Sequence, residues 1–274
     1  MNPSVTYRMM QYNILHEGYA SQEYLNIGLE NRKNNVAAAI RSVSPHVLFL
    51  AERFEEWDRR GEGSVDLMAS LGEDYRIVEN EVSYTDRAGN RVVVTNRTPI
   101  VYHASTFRAV DSGFLFLTEE VPTEASGNKR GVTWAILEDI TEAPCHGQRI
   151  AVFGTHWSTN THWRTRESFG VYKQAQSEEM QALIRHERFR GLPVVAAGDF
   201  NVTYANFYEF YQSLLEACQL SDAAVSVLES PACVVDHIAV SHDFTVLSCC
   251  LEEARNASDH NPIYCDIRRD GISI

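Results

Sequence analysis

Five β-rich runs crowd the stretch from Tyr75 to Trp157, and they limit the fold more than any other feature of the 274-residue chain. They read "YRIVEN", "RVVVTN", "TPIVYH", "GVTWAILED" and "RIAVFGTHW". β-branched and aromatic residues dominate them, and such side chains suit a pleated, half-buried surface. "RAGN", residues 87–90, supplies turn chemistry between the first two. The stretch is expected to form consecutive strands of a sheet.

Helical periodicity flanks it. "NRKNNVAAAIRSV" places Val36, Ala39, Ile40 and Val43 on one helical face, and Ser44-Pro45 stops the helix before the apolar run "HVLFLAE". Farther along, Phe169, Tyr172, Ala175, Met180 and Leu183 share a broad face of a long helix ending near "RGLP". "NFYEFYQSLLEAC" reads as another helix, and "VVDHIAVS", "FTVLSCC" and "PIYCDIR" return to strand. Mixed sheets with helices over their outer faces satisfy this α/β order. No repeat, low-complexity tract or linker divides the chain, so residues 1–274 are expected to form one domain.

The formal net charge of −13 opposes the basic footprint of a protein that coats nucleic acid, although a bound divalent cation can reverse the sign locally. No apolar run approaches the ~20 residues of a membrane span, and the N-terminal "MNPSVTYRMMQYNIL" has no apolar leader core. A soluble, cytoplasmic protein is expected. Its six cysteines (Cys145, Cys218, Cys233, Cys249, Cys250, Cys265) include no C-x-x-C pair and read as buried small hydrophobes rather than disulfide or zinc ligands.

Several apolar runs finish in an acid, an amide or an imidazole. They are "MMQYNIL" with Asn13, "VLFLAE" with Glu52, "AVFGTHWS" with His156, "VVAAGDFN" with Asp199 and Asn201, "VVDHIAVS" with Asp236, and "ASDHNP" with Asp259 and His260. Strand side chains alternate between faces, so Asp199 and Asn201 are expected to point one way and Phe200 the other. The same alternation separates Asp236 from His237 and leaves His237 a bystander. Asp259 and His260 are adjacent and can share a site only from a loop, which Ser258 and Pro262 favour.

In this order the set resembles the endonuclease/exonuclease/phosphatase superfamily, with "YNI", a strand-terminal Glu, "TH", "GDFN", "D-x-I-x-V" and "SDHxP" spread over nearly the whole chain. "PIVYHASTFRAVDSGFLFL" and "KRGVTWAIL" are similar to its connecting strands. The resemblance implies a DNase I-like four-layer sandwich, two mixed β-sheets face to face with helices outside. It also implies a metal-dependent hydrolase of phosphoester bonds.

Phosphoester hydrolysis needs charge neutralisation, an oriented water and help for the leaving oxygen. Oxygen donors suit Mg²⁺, with Mn²⁺ as a substitute, and the absence of thiols argues against zinc. The resemblance makes Glu52 the first metal ligand, joined by Asn13 and Asp259 directly or through water. Asp236 would orient His260, and the pair would activate the attacking water or brace the phosphate. Asp199 would align the water, Asn201 and His156 would donate to phosphate oxygens, and Arg130 would contact phosphate. Ala51 stands where the family usually has Gln before the metal-binding Glu, which bears on the support of Glu52. Phe116 stands where a Trp is common.

"THWSTNTHWRTRESF" interleaves Trp157 and Trp163 with Arg164 and Arg166, a pattern able to stack bases or to line a pocket for a small phosphorylated ligand. The expected partner is therefore a phosphorylated small molecule or a nucleic acid, and no protein partner is legible. "PACVVDHIAV" lacks the Trp-x-Asp-Arg signature typical of inositide 5-phosphatases, and "FLAERFEEW" differs from the "LQE(T/S)K" typical of AP endonucleases. A phosphoesterase on a small or medium ester is expected first, a nuclease second, and an inactive binding protein on the same fold third.

Overall fold

The computed structural model describes residues 4–16, 29–53, 66–78, 80–85, 88–118, 130–142, 145–159, 166–225, 234–254 and 256–270. Its first sheet is built from β1 (Ser4–Asn13), β2 (Val47–Ala51), β3 (Tyr75–Ile77), β6 (Ile100–His103), β13 (Phe244–Leu251) and β14 (Ile263–Asp270), in the order β13-β14-β1-β2-β6-β3. The second contains β7 (Phe107–Phe116), β8 (Gly131–Asp139), β9 (Arg149–His156), β10 (Val194–Asp199), β11 (Leu220–Asp222) and β12 (Asp236–Ser241), in the order β11-β12-β10-β9-β8-β7. Each sheet mixes parallel and antiparallel pairs: β1 runs parallel to β2, and β10 parallel to β9.

Period-2 alternation explains how the sheets stack. Tyr7 and Met9 of β1, Val47 and Phe49 of β2, Val152 of β9, Val195 and Ala197 of β10, and Ile238 and Val240 of β12 form one core between the sheets. Residues of the opposite parity face outward. Met10, Tyr12, Leu48 and Leu50 pack with Val36, Ala39, Ile40 and Val43 of α1 (Leu29–Val43) and with α2 (Leu67–Leu71). On the other side Phe153, Val194, Ala196 and Ala239 pack with α3 (Arg166–Ile184) and α4 (Tyr208–Cys218). The result is the four-layer DNase I-like sandwich implied by the sequence.

Two expectations need correction. The strands between Tyr75 and Trp157 do not form one run of sheet: β3 and β6 join the first sheet and β7, β8 and β9 the second. In addition, β4 (Val82–Thr85) pairs with β5 (Arg91–Val94) as a separate hairpin, so the turn around Gly89 (φ 86) joins β4 to β5. Turn chemistry was legible, but half-exposed short strands carry too little apolar pattern to reveal their partners.

Of the cysteines, Cys145, Cys249 and Cys265 are buried free thiols, Cys218 and Cys250 are half-buried free thiols, and Cys233 lies outside the described residues. Among the described residues, no helix is long and apolar enough to cross a membrane.

Candidate active site

The alternation that builds the inter-sheet core also aims its polar residues. On β1 the inward series Tyr7, Met9 continues as Gln11 and Asn13; on β10 Val195, Ala197 continues as Asp199; on β9 Ile150, Val152 continues to His156. Asp236 opens β12 with the parity of Ile238 and Val240. Apolar packing therefore gives way to acids, amides and imidazoles at one edge of the sandwich. The register brings them together: Asp199 pairs with His156 on one side and with Asp236 on the other.

Asn13 joins the two sheets. Its Nδ2 donates to Glu52 Oε1 at 3.1 Å and to Asp199 Oδ2 at 3.0 Å, while its Oδ1 accepts the Leu15 backbone N–H at 3.0 Å. An N–H requires an oxygen opposite, which fixes the amide orientation. Asn13 thus offers N–H groups to two carboxylates and ties Glu52 to Asp199. Glu52 follows β2 in a left-handed conformation (φ 62), and its Oε2 accepts the His16 backbone N–H at 3.1 Å. Such a backbone is uncommon for a non-glycine residue and is held by its surroundings.

Asp199 is buried. Its Oδ1 accepts the Asn201 N–H at 2.9 Å, and its Oδ2 lies 3.3 Å from His156 Nε2. Burial, then the negative charge of Asp236, pushes its pKa up to about 6 against the opposing pull of His260 and the bonds from Asn13 and Asn201. His260 Nδ1 donates to Asp236 Oδ2 at 2.6 Å, and Asp236 Oδ1 accepts Gln11 Nε2 at 3.2 Å. Burial works against charging the His260 ring, but the charge and hydrogen bond of Asp236, with Asp199 and Asp259, raise its pKa to about 11. His260 Nε2 is 3.9 Å from both Asp199 Oδ2 and Asp259 Oδ1. His156 is instead held neutral by burial and by the positive charge of Arg130.

Asn201 departs from expectation. β10 ends at Asp199, and Asn201 lies beyond it with φ 50, so strand alternation no longer sets its direction. Its side chain donates to the Trp157 carbonyl at 3.0 Å. Trp157 is a second correction: it shares the parity of Ala151 and Phe153, is fully buried under α3, and meets Phe200 edge-on at 5.0 Å. A ring in that position is core, with no face for substrate, and the parity was legible in "RIAVFGTHW". Trp163 and Arg164 lie outside the described residues. His237 points to the outer face as expected, its ring between Asp222 Oδ2 at 2.8 Å and the Val202 carbonyl at 3.1 Å.

Lys173 of α3 is the residue that sequence reasoning missed. It is fully buried, and its Nζ donates to the Ser158 carbonyl at 2.8 Å and the Phe200 carbonyl at 3.1 Å. The helix face expected to be buried included Tyr172 and Ala175; the structure buries Lys173, Gln176, Ser177 and Met180 more deeply. Polar residues at i, i+3 and i+4 on a helix beside "GDFN" were the available signal.

Asp199, Asp236 and His260 offer ligand atoms that all lie within 4.8 Å of one another, a group able to hold a metal ion. Beside it stand Glu52 and the half-exposed carboxylate of Asp259. Oxygen donors dominate, and two buried carboxylates raise one another's cost, so the set fits a hard divalent cation. Such an arrangement, with a cation bound, can neutralise a phosphate and orient a water, the chemistry of a phosphoester hydrolase.

The comparisons agree. The model of the Endonuclease/Exonuclease/phosphatase family matches residues 10–260, and the chain belongs to that family, whose members hydrolyse phosphoester bonds. An endonuclease/exonuclease/phosphatase family protein from Bacteroides thetaiotaomicron is similar in structure, with a TM-score of 0.72, 18% identity, and coverage of 98% of this chain and 97% of that one. The human Nocturnin catalytic domain with bound sulfate has a TM-score of 0.68 at 19% identity, covering 97% of each chain. A mannosyl-6-phosphatase from Bacteroides thetaiotaomicron VPI-5482 has a TM-score of 0.68 at 20% identity, covering 95% of this chain and 99% of that one. No curated protein matches the sequence.

Proposed function

We propose that this chain is a Mg²⁺-dependent phosphoesterase that hydrolyses a phosphodiester or phosphomonoester of small to medium size through attack of an activated water. The observation that carries this reading is the convergence of Asp199, Asp236 and His260 beside Glu52, bridged by Asn13. Glu52 and Asp259 would hold Mg²⁺ or Mn²⁺. The bound ion supplies Lewis-acid neutralisation of phosphate charge.

The chain's own residues do the rest. Asp199 accepts the proton of the attacking water, a role suited to a carboxylate with a raised pKa. His260, oriented by Asp236 and positively charged, donates from Nε2 to a phosphate oxygen. Asn201 and neutral His156 add donors as charge grows on the phosphate oxygens, and Arg130 contacts phosphate from the start of β8.

The mannosyl-6-phosphatase neighbour makes a phosphorylated sugar a rational member of a substrate screen. A nuclease on DNA or RNA is disfavoured by the net charge of −13 and by the burial of Trp157.

The test is hydrolysis of bis-p-nitrophenyl phosphate and p-nitrophenyl phosphate by purified protein with Mg²⁺, with and without EDTA, beside plasmid and poly(A). Hydrolysis that EDTA stops and Mg²⁺ restores is expected. Inertness with every divalent ion would overturn the reading, and degradation of polynucleotides alone would transfer it to a nuclease.

A further inference from the structure

β9 and β10 deliver His156 and Asp199 side by side and then separate. The chain after β9 continues as Trp157 and Ser158, and the chain after β10 as Phe200 and Asn201. Close to the strands they remain tied, because the Trp157 N–H donates to the Asp199 carbonyl at 2.9 Å and Asn201 Nδ2 to the Trp157 carbonyl at 3.0 Å. One step farther out, the backbone of one segment no longer meets the other. There the Ser158 and Phe200 carbonyls turn to a common partner on α3, the Nζ of Lys173.

Resting on the phosphoesterase reading, we propose that Lys173 is a positioning residue, which clasps the segments following β9 and β10 so that His156, Asp199 and Asn201 keep their mutual geometry.

Lys173 is fully buried. A buried lysine is costly unless its head group is bonded, and the two carbonyls supply those bonds together with the Phe207 ring, 5.8 Å from Nζ. The carbonyl of fully buried Phe200 in turn needs the donor. Gln176, one helical turn on, completes the grip: its Oε1 accepts the Ser158 N–H at 3.0 Å, and its Nε2 donates to Ser158 Oγ at 2.7 Å. A helix whose buried face sets two polar residues, Lys173 and Gln176, on the segments beside the site does more than cover the sheet. Burial lowers the Lys173 pKa to about 7, and a neutral amine still has two N–H groups for the two carbonyls.

The test compares wild type with Lys173→Met, which keeps the volume and removes the donors, and with Lys173→Arg, which keeps them. The probe is bis-p-nitrophenyl phosphate with Mg²⁺. Lys173→Met is expected to lower kcat by ~10- to 100-fold with KM within about twofold, and Lys173→Arg to recover most of it. In a double-mutant cycle with Asn201→Ala the two losses should be strongly non-additive, because both act through one segment. A merely structural lysine would lower the yield of folded protein but leave kcat per folded molecule unchanged, or give additive losses; either result overturns the proposal. If Lys173→Met fails to fold, Lys173→Gln is read by the same criteria. Inert wild-type protein would instead sink the phosphoesterase reading.

Discussion

Asp199 and Asp236 are directly opposed across the antiparallel β10–β12 pair, two buried carboxylates on one face of the second sheet. Like charges in that position destabilise a sheet. The hydrogen bond from His260 and the two from Asn13 and the Asn201 backbone are what make the pair tolerable.

That opposition predicts a trade of stability for activity at Asp199. Its folded-state pKa of about 6 lies above the ordinary aspartate value of 3.8, so the carboxylate destabilises the fold fully above about pH 6. The cost fades as the pH falls towards 3.8. Asp199→Asn is therefore expected to stabilise the metal-free protein at pH 8 by on the order of 1–2 kcal/mol, with no gain at pH 4. Thermal unfolding at the two pH values checks this, and turnover should fall at least ~100-fold. A lower Tm for the variant at pH 8 would contradict it.

Protonating Asp199 removes the proposed base, so kcat/KM is expected to fall with acidification on the acid side of about pH 6. A rate profile from pH 4 to 9 reads this directly. A profile with no acid limb would reassign the base.

In the proposed function Glu52 and Asp259 hold the ion. Mg²⁺ or Mn²⁺ is expected to raise the Tm of the wild type, and Glu52→Ala should weaken that dependence, with ~10- to 100-fold lower affinity in calorimetry. An unchanged affinity would move the ion to the Asp199, Asp236 and His260 group.

Gly198 precedes Asp199 where β9 and β10 approach closely. A Cβ there would meet the Thr155 carbonyl oxygen at 2.2 Å, backbone that cannot swing aside. Gly198→Ala should cost at least ~1–3 kcal/mol and impair turnover by displacing Asp199. Unfolding in urea measures the first effect, and an unaltered midpoint would show that the two strands can part.

Trp157 should matter for packing rather than for substrate. Trp157→Ala is expected to cost about 3–5 kcal/mol through the cavity it leaves, whereas Trp157→Phe should leave KM within about twofold. A large rise in KM for the Phe variant would restore Trp157 to the binding surface.

Much of this protein was determined by local pattern. Alternation along "VVAAGDF" and "VVDHIAV" settles that Asp199 and Asp236 share parity with the residues of the core between the sheets while His237 does not, and the ordered motifs already resembled the family to which the chain belongs. Parity is local, since each residue's face follows from its neighbour's. The tertiary structure alone decided which strands meet. Sheet order seats Asp199 between His156 and Asp236, moves β4 and β5 out of both sheets, turns Asn201 off the strand, and buries Lys173 against two carbonyls. Those outcomes depend on backbone groups far apart in the chain finding partners, and hydrophobic periodicity carries no record of them.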